Sequence, residues 1–502
     1  MNLERNESKE YNKHSNENFT ILKYNYIYFL ATIRSFFKNK NFLKHFGFIY
    51  LLYFIGIFGL LIADVYHRDD IWRSQGGLPA LSHTSRHLSQ NLSYFFHASY
   101  PKIADISPLS QLIAIAFLSI ASMALVKIVN KKVTYIGLVA SLLLGLNPWY
   151  LQCISYKYDS MFMTLATLCA IFPFLFRKKL DLFFIISVFL LVCMWNLYQT
   201  NNGIYLIIAL FILLNLVLSK SELKNIIKFI FYSAFAFILA LLIYKFIFIV
   251  PNTAGSDIDS LFIFIDNGKK LLNLLNDNLG THILKPLFLI SMIFFAIAML
   301  QRRKTNSIIS SLLILGFLVI GLFVSYGIYI FLSNFFSQAR GISQIGGFLA
   351  IIAIGTVSQK KKILIFMSKC VVIYMSYCLI TISNAYANAL DAQEKFDQYR
   401  INLMLKDLQH LLPINTKERA KIFINGARQR EPYIGIYREL LPLMSNLTAQ
   451  ISNHSVYQLR QRGLDVSKST CKKNNEKAKK IIETRFHKIE VFENNCYEIT
   501  YK

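Results

Sequence analysis

Two adjacent carboxylates, Asp69 and Asp70, lie between Arg68 and Arg73 in the segment HRDDIWRSQGG, directly after the first long apolar run. A carboxylate at the mouth of a cavity on a membrane surface can act as a general base or as a metal ligand. The alternative is a solvated helix end, at which the arginines simply neutralise the acidic side chains. The residue types alone leave both interpretations open.

Further polar side chains lie at the ends of later apolar runs. Lys157 and Asp159 begin the fourth run, where a carboxylate is costly unless it is paired, caps a helix or faces a cavity. Tyr198 and Gln199 end the fifth run and fit either interfacial anchoring or, for Gln199, hydrogen bonding to a polar ligand. Arg340 precedes the tenth run, where an arginine either reaches to water or grips a phosphate bidentately.

Eleven apolar runs must position these residues. Each run of about 20 residues matches a hydrocarbon core of about 30 Å, and only helices satisfy their own backbone in lipid. The composition agrees, with 54% hydrophobic residues and a mean hydropathy of +0.41. The sequence therefore predicts an all-α polytopic membrane protein with about eleven transmembrane helices. The runs are 46–64, 107–127, 133–152, 157–176, 180–198, 203–219, 226–250, 284–301, 306–332, 341–358 and 363–384.

Basic residues cluster in every second gap between these runs, and positive charge near helix ends stays on the cytoplasmic side. The clusters are Lys38/Lys40/Lys44, Lys127/Lys131/Lys132, Arg177/Lys178/Lys179, Lys220/Lys224/Lys228, Arg302/Arg303/Lys304 and Lys360/Lys361/Lys362. This pattern predicts a cytoplasmic N-terminus and, after eleven crossings, a C-terminus on the outside. The predicted outer segments are 65–106, 153–156, 199–202, 251–282, 333–340 and 385–502.

The net charge and the polar chain ends indicate how the chain divides into domains. The net charge of +26 is explained by the topology signal and by contact with anionic lipid, and we expect no nucleic-acid partner. Residues 1–45 form a predicted cytoplasmic arm whose segment 21–44 fits an amphipathic helix at the membrane surface. Residues 46–384 form the predicted transmembrane domain, with outer loops 65–106 and 251–282, and residues 385–502 a separate outer domain.

The tail at 385–502 predicts a small α+β domain. It begins as a helix leaving the membrane, amphipathic through Leu403, Leu405 and Leu408, and its segments KIFING and HKIEVFENNCYEITYK alternate as strands do. Cys471 and Cys496 lie in this tail, where an oxidising periplasm would permit a disulfide between them. Two unpaired thiols are the alternative.

Several familiar signals are absent from the sequence. We find no glycine-rich loop that would cradle a nucleotide phosphate, and no His/Cys spacing typical of a zinc site. Charged residues do not recur in the middle of the runs, and no inverted repeat of broken helices is visible, which argues against a proton-coupled transporter. The sequence therefore predicts neither a cofactor nor a metal site.

At the same positions the chain resembles the Gtr-type (GtrII-like) O-antigen glucosyltransferases, the membrane enzymes of phage-borne serotype conversion. The similarity runs from about residue 50 to residue 430, and SYKYDS and the LYQ segment are its most specific parts. The matching stretches, in the family's order, are RDDIWR, ISPLSQ, LNPWYLQCISYKYDSMFMTLA, NLYQTNNGIY, QARGISQIGG and AYANALDAQEKF followed by Asp407-Leu408.

The resemblance implies a metal-independent transferase of the GT-C architecture in the bacterial inner membrane. Such an enzyme takes a sugar, commonly glucose, from undecaprenyl phosphate on the periplasmic side and attaches it to the lipopolysaccharide O-antigen. It also implies pathway partners, namely a polyprenyl-phosphate glucosyl synthase and a flippase.

The same resemblance implies roles for the polar residues. The usual base in the GT-C group is an Asp of the first outer loop, so we assign Asp69 as base and Asp70 as the close alternative. Asp159 would orient the acceptor or Lys157, and cations would stabilise the leaving phosphate. The predicted substrate-binding residues are Arg68, Arg73, Lys157, Tyr198, Gln199 and Arg340.

Two other classes of function stay open at this point. A flippase or transporter of polyprenyl-linked glycans would show charges lining a cavity in mid-membrane. An O-antigen polymerase or a membrane O-acetyltransferase would also act on this face, and the latter would require a His-rich catalytic site.

Overall fold

The computed structural model describes residues 25–38, 40–250, 261–412, 419–426, 429–432, 434–448, 454–469 and 478–502. Most of these residues form helices, and five short strands form one sheet near the C-terminal end. The helices are α1 (25–37), α2 (Phe42–Ala63), α3 (Asp70–Gly76), α4 (His87–Phe96), α5 (Leu109–Asn130), α6 (Tyr135–Ala140), α7 (Leu143–Leu146), α8 (Leu151–Ser155), α9 (Ser160–Ile171), α10 (Leu180–Leu197), α11 (Asn202–Leu218), α12 (Leu223–Ile243), α13 (Leu261–Leu279), α14 (Leu284–Arg302), α15 (Ser307–Val324), α16 (Ala339–Ile342), α17 (Ile345–Thr356), α18 (Lys362–Gln409), α19 (Ile434–Leu440), α20 (Met444–Leu447) and α21 (Ser455–Gln461). The strands are β1 (Ala420–Asn425), β2 (Val466–Lys468), β3 (Lys480–Glu483), β4 (His487–Phe492) and β5 (Cys496–Tyr501).

The apolar helices coincide with the predicted apolar runs. Among the described residues, eight helices are long and apolar enough to cross a membrane. Three further apolar helices, Tyr135–Leu146, Ser160–Phe176 and Ile345–Thr356, are shorter. At 1.5 Å per residue they cover only about 18–26 Å of a hydrocarbon core of about 30 Å. A multi-pass helical protein is therefore confirmed, whereas eleven crossings and the GT-C class stay predictions.

The short helices lie inside the bundle, next to irregular backbone. Every residue of α17 is buried, and ten of the twelve residues of α9 are buried. The non-helical backbone between α7 and α8 meets that before α17, where Asn147 Nδ2 donates to the Ser343 carbonyl at 3.3 Å. Irregular backbone at membrane depth is tolerated only where it is buried in protein or lines a cavity. The ends of these short helices are therefore natural places for a polar site.

The gaps that carry the basic clusters contact one another. Arg177 Nη2 donates to the Ile128 carbonyl at 3.2 Å, which joins the gap after α9 to the end of α5. Lys360 Nζ donates to the Gln301 carbonyl at 2.5 Å, which joins the gap after α17 to the end of α14. Ser358 Oγ, in the gap after α17, donates to Asn130 Oδ1 at the end of α5 at 2.6 Å, so these predicted inner gaps lie on one side of the helix bundle.

The gaps that were predicted to lie outside also contact one another. Arg68 Nη1 donates to Gln338 Oε1 at 3.2 Å and joins the first long loop to segment 333–340. Gln199 Nε2 donates to the Thr84 carbonyl at 2.8 Å and joins the same loop to segment 199–202. The predicted outer loops therefore form one face of the bundle.

We expect the face that carries Asp69 to lie in the periplasm, because the basic clusters occupy the other face. A reporter that is active only in the periplasm should be active when it is fused after residue 400. A cytoplasm-only reporter fused at the same residue serves as the control. Strong activity of that second reporter would reverse the orientation.

The tail is joined to the bundle by one long helix. Helix α18 contains 48 residues, which corresponds to about 72 Å, and it continues through the predicted domain boundary at 384/385. Buried residues of α18 up to Leu390 belong to the core of the membrane bundle, and those from Ile401 onward belong to the core of the tail. The change from one core to the other therefore falls inside a continuous helix, between Leu390 and Ile401.

A mixed sheet in the tail confirms the predicted small C-terminal sheet domain. The strand order is β2-β1-β5-β4-β3. Strand β1 is parallel to both β2 and β5, whereas β4 is antiparallel to β5 and to β3. Buried Ile401, Met404 and Leu408 of α18 pack against this sheet, because their spacing places them on one helix face.

One part of the tail packs on the bundle and not on the sheet. Leu441, Leu443, Met444 and Leu447, in and around α20, belong to the core of the membrane domain. The backbone N–H of Leu443 donates to the Asn278 carbonyl at 3.0 Å. The tail is therefore fixed to the outer-loop face through both α18 and the α20 region.

Five cysteines of the described residues are free and lie in the bundle, namely Cys153, Cys169, Cys193, Cys370 and Cys378. Cys471 lies outside the described residues, so its predicted disulfide with Cys496 stays a prediction.

Candidate active site

The two adjacent carboxylates have different surroundings. Asp70 begins α3 and is fully buried. Its carboxylate accepts hydrogen bonds from the backbone N–H groups of Lys157 at 2.9 Å, His67 at 3.3 Å and Tyr158 at 3.5 Å. Burial raises the pKa of Asp70 to about 8, since loss of hydration outweighs these hydrogen bonds and the charge of Arg73. Asp70 therefore connects α3 to the bend before α9 and offers no accessible oxygen to a substrate.

Asp69 presents the accessible carboxylate of the pair. It is half-buried, and its carboxylate receives no hydrogen bond or ion pair from any described residue. Arg73 and Arg340 both interact with it electrostatically. An accessible carboxylate near cations, with its lone pairs unused, has the arrangement that a general base needs.

Two arginines from distant loops converge beside Asp69. Arg68 Nη1 and Arg340 Nε both donate to Gln338 Oε1, at 3.2 and 3.1 Å. Neither guanidinium forms an ion pair with a carboxylate of the described residues. Arg68 also has a φ of 48°, a left-handed conformation that side-chain-bearing residues rarely adopt and that is often found at functional sites. Two nearby arginines without acidic partners form a site suited to a phosphate group.

The other predicted cations are neutralised by carboxylates. Arg73 Nη1 forms a 2.5 Å ion pair with Asp159, and both side chains are about 95% buried. Lys157, which is buried, contacts Asp64 at 2.5 Å and Asp105 at 3.7 Å. An ion pair between Lys157 and Asp159, one alternative to a functional role, is therefore not formed. Asp159 lies at the N-cap of α9, but its side chain accepts no capping hydrogen bond there, so the capping alternative is wrong as well.

Tyr198 and Gln199 position arginines of the site. The Tyr198 hydroxyl donates to the Arg340 carbonyl at 3.2 Å, and Gln199 Oε1 accepts from Arg86 Nε at 3.1 Å. The Arg86 guanidinium lies 4.8 Å from the centre of the Tyr198 ring. Arg86 is thus a third arginine of the outer face without a carboxylate partner among the described residues. Its role was not evident from the sequence, because a single arginine in a long polar loop has no distinctive spacing.

A buried histidine and two further polar side chains support Arg340. Gln152 Oε1 accepts from the Arg340 backbone N–H at 2.9 Å, and the Tyr156 hydroxyl accepts from Arg340 Nη1 at 3.0 Å. His67 packs edge-on against Tyr156, and burial followed by the charges of Arg68 and Arg340 lowers its pKa well below the usual value. Gln152 and Tyr156 occur in the stretch that carries the family resemblance, but their types alone did not indicate a role.

The tail contacts this site directly. Arg68 Nη2 donates to the Asn446 carbonyl at 3.4 Å, and Gln75 Nε2 donates to the Tyr457 carbonyl at 2.6 Å. These contacts lie at the two ends of α3, the short helix that follows Asp69. The tail therefore forms part of the wall of the candidate active site.

The comparison with known families identifies this arrangement. The sequence profile described as Glucosyl transferase GtrII matches residues 58–357, more than half of the chain. The chain belongs to the GtrII glucosyl transferase family. The matched region of this family member includes every predicted catalytic and substrate-binding residue and also Arg86, whereas the tail lies beyond it.

One relative extends the comparison to bacteriophage. An uncharacterized 55.3 kDa protein in the gtrB 5′ region of Salmonella phage P22 is 28% identical over 187 residues. The match covers 36% of this chain and 38% of the phage protein, so it spans well under half of either. No solved structure matches the chain significantly.

Proposed function

We propose that this GtrII-family member transfers a sugar, glucose in the first instance, from undecaprenyl phosphate to the lipopolysaccharide O-antigen at the periplasmic face of the inner membrane. The observation that carries the proposal is the accessible Asp69 carboxylate beside Arg68 and Arg340, which share Gln338 and lack acidic partners among the described residues. Such a site holds both a proton acceptor and a binding place for a leaving phosphate.

The chemistry follows from these groups. Asp69 accepts the proton of an acceptor hydroxyl while the hydroxyl oxygen attacks the anomeric carbon of the donor sugar. The bond between that carbon and the phosphate oxygen breaks, and polyprenyl phosphate leaves with the bonding electron pair. Arg68 and Arg340 stabilise the charge that develops on the phosphate. A single displacement inverts the configuration at the anomeric carbon.

The other predicted site residues have supporting roles in this proposal. The Arg73–Asp159 pair and the Lys157–Asp64 contact hold the outer loop against α9. Tyr198 and Gln199 fix Arg340 and Arg86. Asp70 fixes the backbone that carries Asp69.

The position of the site supports a lipid-linked donor. Nucleotide sugars are absent from the periplasm, and the sequence has no glycine-rich loop for a nucleotide. A separate synthase must therefore load the sugar onto the polyprenyl phosphate, and a flippase must bring the loaded lipid to this face. The bilayer is then the source of the donor as well as the solvent for the helices.

We expect the purified protein to transfer glucose from polyprenyl-phosphate glucose to O-antigen, with the product identified by mass and linkage analysis. Transfer should continue in the presence of a chelator, because the arginines supply the positive charge. A nucleotide sugar without lipid is the control and should give no product. Product formed from the nucleotide sugar alone would contradict the proposed donor.

The acceptor is tested in cells. O-antigen from cells that express the chain should carry an additional sugar, which is missing from cells without it. Identical O-antigen structures in both strains would contradict the proposed acceptor.

A further inference from the structure

A cavity lies at the other end of the bundle from Asp69. It has a volume of about 320 Å³ and lies between α1, the start of α2 and the end of α5. This volume is at the lower end of the range for small-molecule sites. Helices α2 and α5 each have 22 residues, so their lengths place the cavity about 30 Å from the candidate active site. The cavity is therefore separate from the transferase site.

Three lysines line this cavity and no acidic residue does. They are Lys127, near the end of α5, and Lys131 and Lys132 in the turn that follows. Within the described residues, none of the three forms an ion pair with a carboxylate. Lys127 Nζ instead contacts the carbonyl and hydroxyl oxygens of Ser35, at 3.4 and 3.3 Å, and lies 5.3 Å from the centre of the Phe36 ring. Three ammonium groups around one cavity favour an anionic ligand.

The wall of the cavity adds to this preference. Helix α2 begins at the cavity, so the positive end of its dipole lies there. The rest of the wall is mixed: Phe36, Phe42, Met123 and Val133 are apolar, and Ser35, Asn41 and His45 are polar. A cavity with three lysines and a partly apolar wall fits a ligand that joins a phosphate to an apolar group.

The role of basic residues in orienting a membrane protein does not by itself explain why three lysines line one cavity. Lysines at helix C-termini offset the helix dipole and orient membrane proteins, and both effects are served by side chains that extend into water. Here Lys127 is folded back against α1 and shares a cavity with the next two lysines of the chain. Basic pockets between transmembrane helices at the cytoplasmic side suit the head groups of anionic lipids.

We propose that this basic pocket, formed by Lys127, Lys131 and Lys132 with α1, binds the phosphate of an anionic ligand, namely an anionic phospholipid of the adjoining leaflet. A soluble phosphate compound is the other source of the same chemical group, and the experiment separates the two. The proposal does not depend on the transfer reaction at the opposite face.

The test uses the full-length protein in lipid nanodiscs of phosphatidylethanolamine, with phosphatidylglycerol or cardiolipin added in steps. Retained lipid is counted by native mass spectrometry. The variant Lys127→Gln/Lys131→Gln/Lys132→Gln should lower the affinity for the anionic lipid on the order of 100-fold, since each basic residue near the membrane surface contributes about fivefold.

The matched control is Lys360→Gln/Lys361→Gln/Lys362→Gln. These lysines belong to another basic cluster of the same face and do not line the pocket, so the variant removes the same charge from the same surface. The control should retain the lipid nearly as well as the unmodified protein. An equal loss of lipid affinity in both triple variants, or no loss in either, would contradict lipid binding at this pocket.

A single variant and a competing soluble phosphate compound test the pocket further. If the first triple variant fails to insert, the single variant Lys132→Gln, at an exposed side chain, should still weaken lipid binding about fivefold. Glycerol 3-phosphate is then added to the unmodified protein. If micromolar glycerol 3-phosphate displaces the lipid, the ligand of the pocket is a soluble phosphate compound. If the lipid is retained, the ligand is the phospholipid.

Discussion

Replacing Asp69 by Asn is expected to lower the rate of sugar transfer by about 10²- to 10⁴-fold, the usual contribution of a general base. Asn keeps the size of the side chain but cannot accept the proton of the acceptor hydroxyl. Since no described residue bonds to the Asp69 carboxylate, the substitution breaks no contact of the fold. Initial rates with polyprenyl-phosphate glucose measure the effect, and thermal unfolding in detergent should be unchanged.

The neighbouring carboxylate provides the most informative comparison. In Asp70→Asn the amide oxygen can replace Oδ2 and keep the bonds from His67 and Lys157, but the amide N–H group then faces the Tyr158 N–H, and that buried donor loses its acceptor at a cost of about 1–3 kcal/mol. We therefore expect this variant to lose stability, in contrast to Asp69→Asn. Glu222→Gln, exposed on the opposite face, should change neither quantity. If both aspartate variants transfer sugar at the unmodified rate, the base lies elsewhere and Asp159 is the next candidate.

Replacing Arg73 by Ala is expected to lower the free energy of unfolding by about 3–5 kcal/mol, because it leaves the buried Asp159 carboxylate without its partner. The pair joins α3 of the outer loop to the start of α9, so its loss loosens the segment that carries Asp69. Thermal unfolding of the purified protein in detergent measures the change.

Two further variants show whether the pairing itself is responsible. Arg73→Met/Asp159→Leu removes both charges, and we expect it to recover most of the lost stability. Lys395→Ala breaks the exposed pair with Asp391 on α18 and should have little effect. If Arg73→Ala abolished transfer without any loss of stability, Arg73 would bind substrate, as the sequence analysis predicted.

The membrane fold was largely predictable because hydrophobicity and basic clusters act locally along the chain. The eleven apolar runs appear as helices, and the contacts of Arg68 and Gln199 place the predicted outer loops on one face. The three short helices were not distinguished from full-length spans, because their burial depends on neighbouring helices and not on their own composition.

The pairing of charges was much less predictable. Proximity along the chain suggested that Lys157 and Asp159 interact, but each pairs with a residue more than fifty positions away. Sequence spacing predicts contacts within a helix, where the geometry repeats, and it fails at the irregular backbone before α9. Arg86 and Gln338 were overlooked for the same reason, since only the folded chain brings them to the site.

Helix α18 sets a restriction on chain length that its composition does not reveal. Between Leu390 and Ile401 the two cores share one uninterrupted α-helix. An inserted residue there would turn the sheet domain by about 100° and shift it by about 1.5 Å, so the Tyr457 carbonyl, which that domain carries, would move away from Gln75. Insertions or deletions close to a whole number of helical turns would restore the rotation of the tail but would still shift it along the axis of α18. Natural variation in this linker should therefore consist of substitutions, with insertions and deletions confined to the loops on either side.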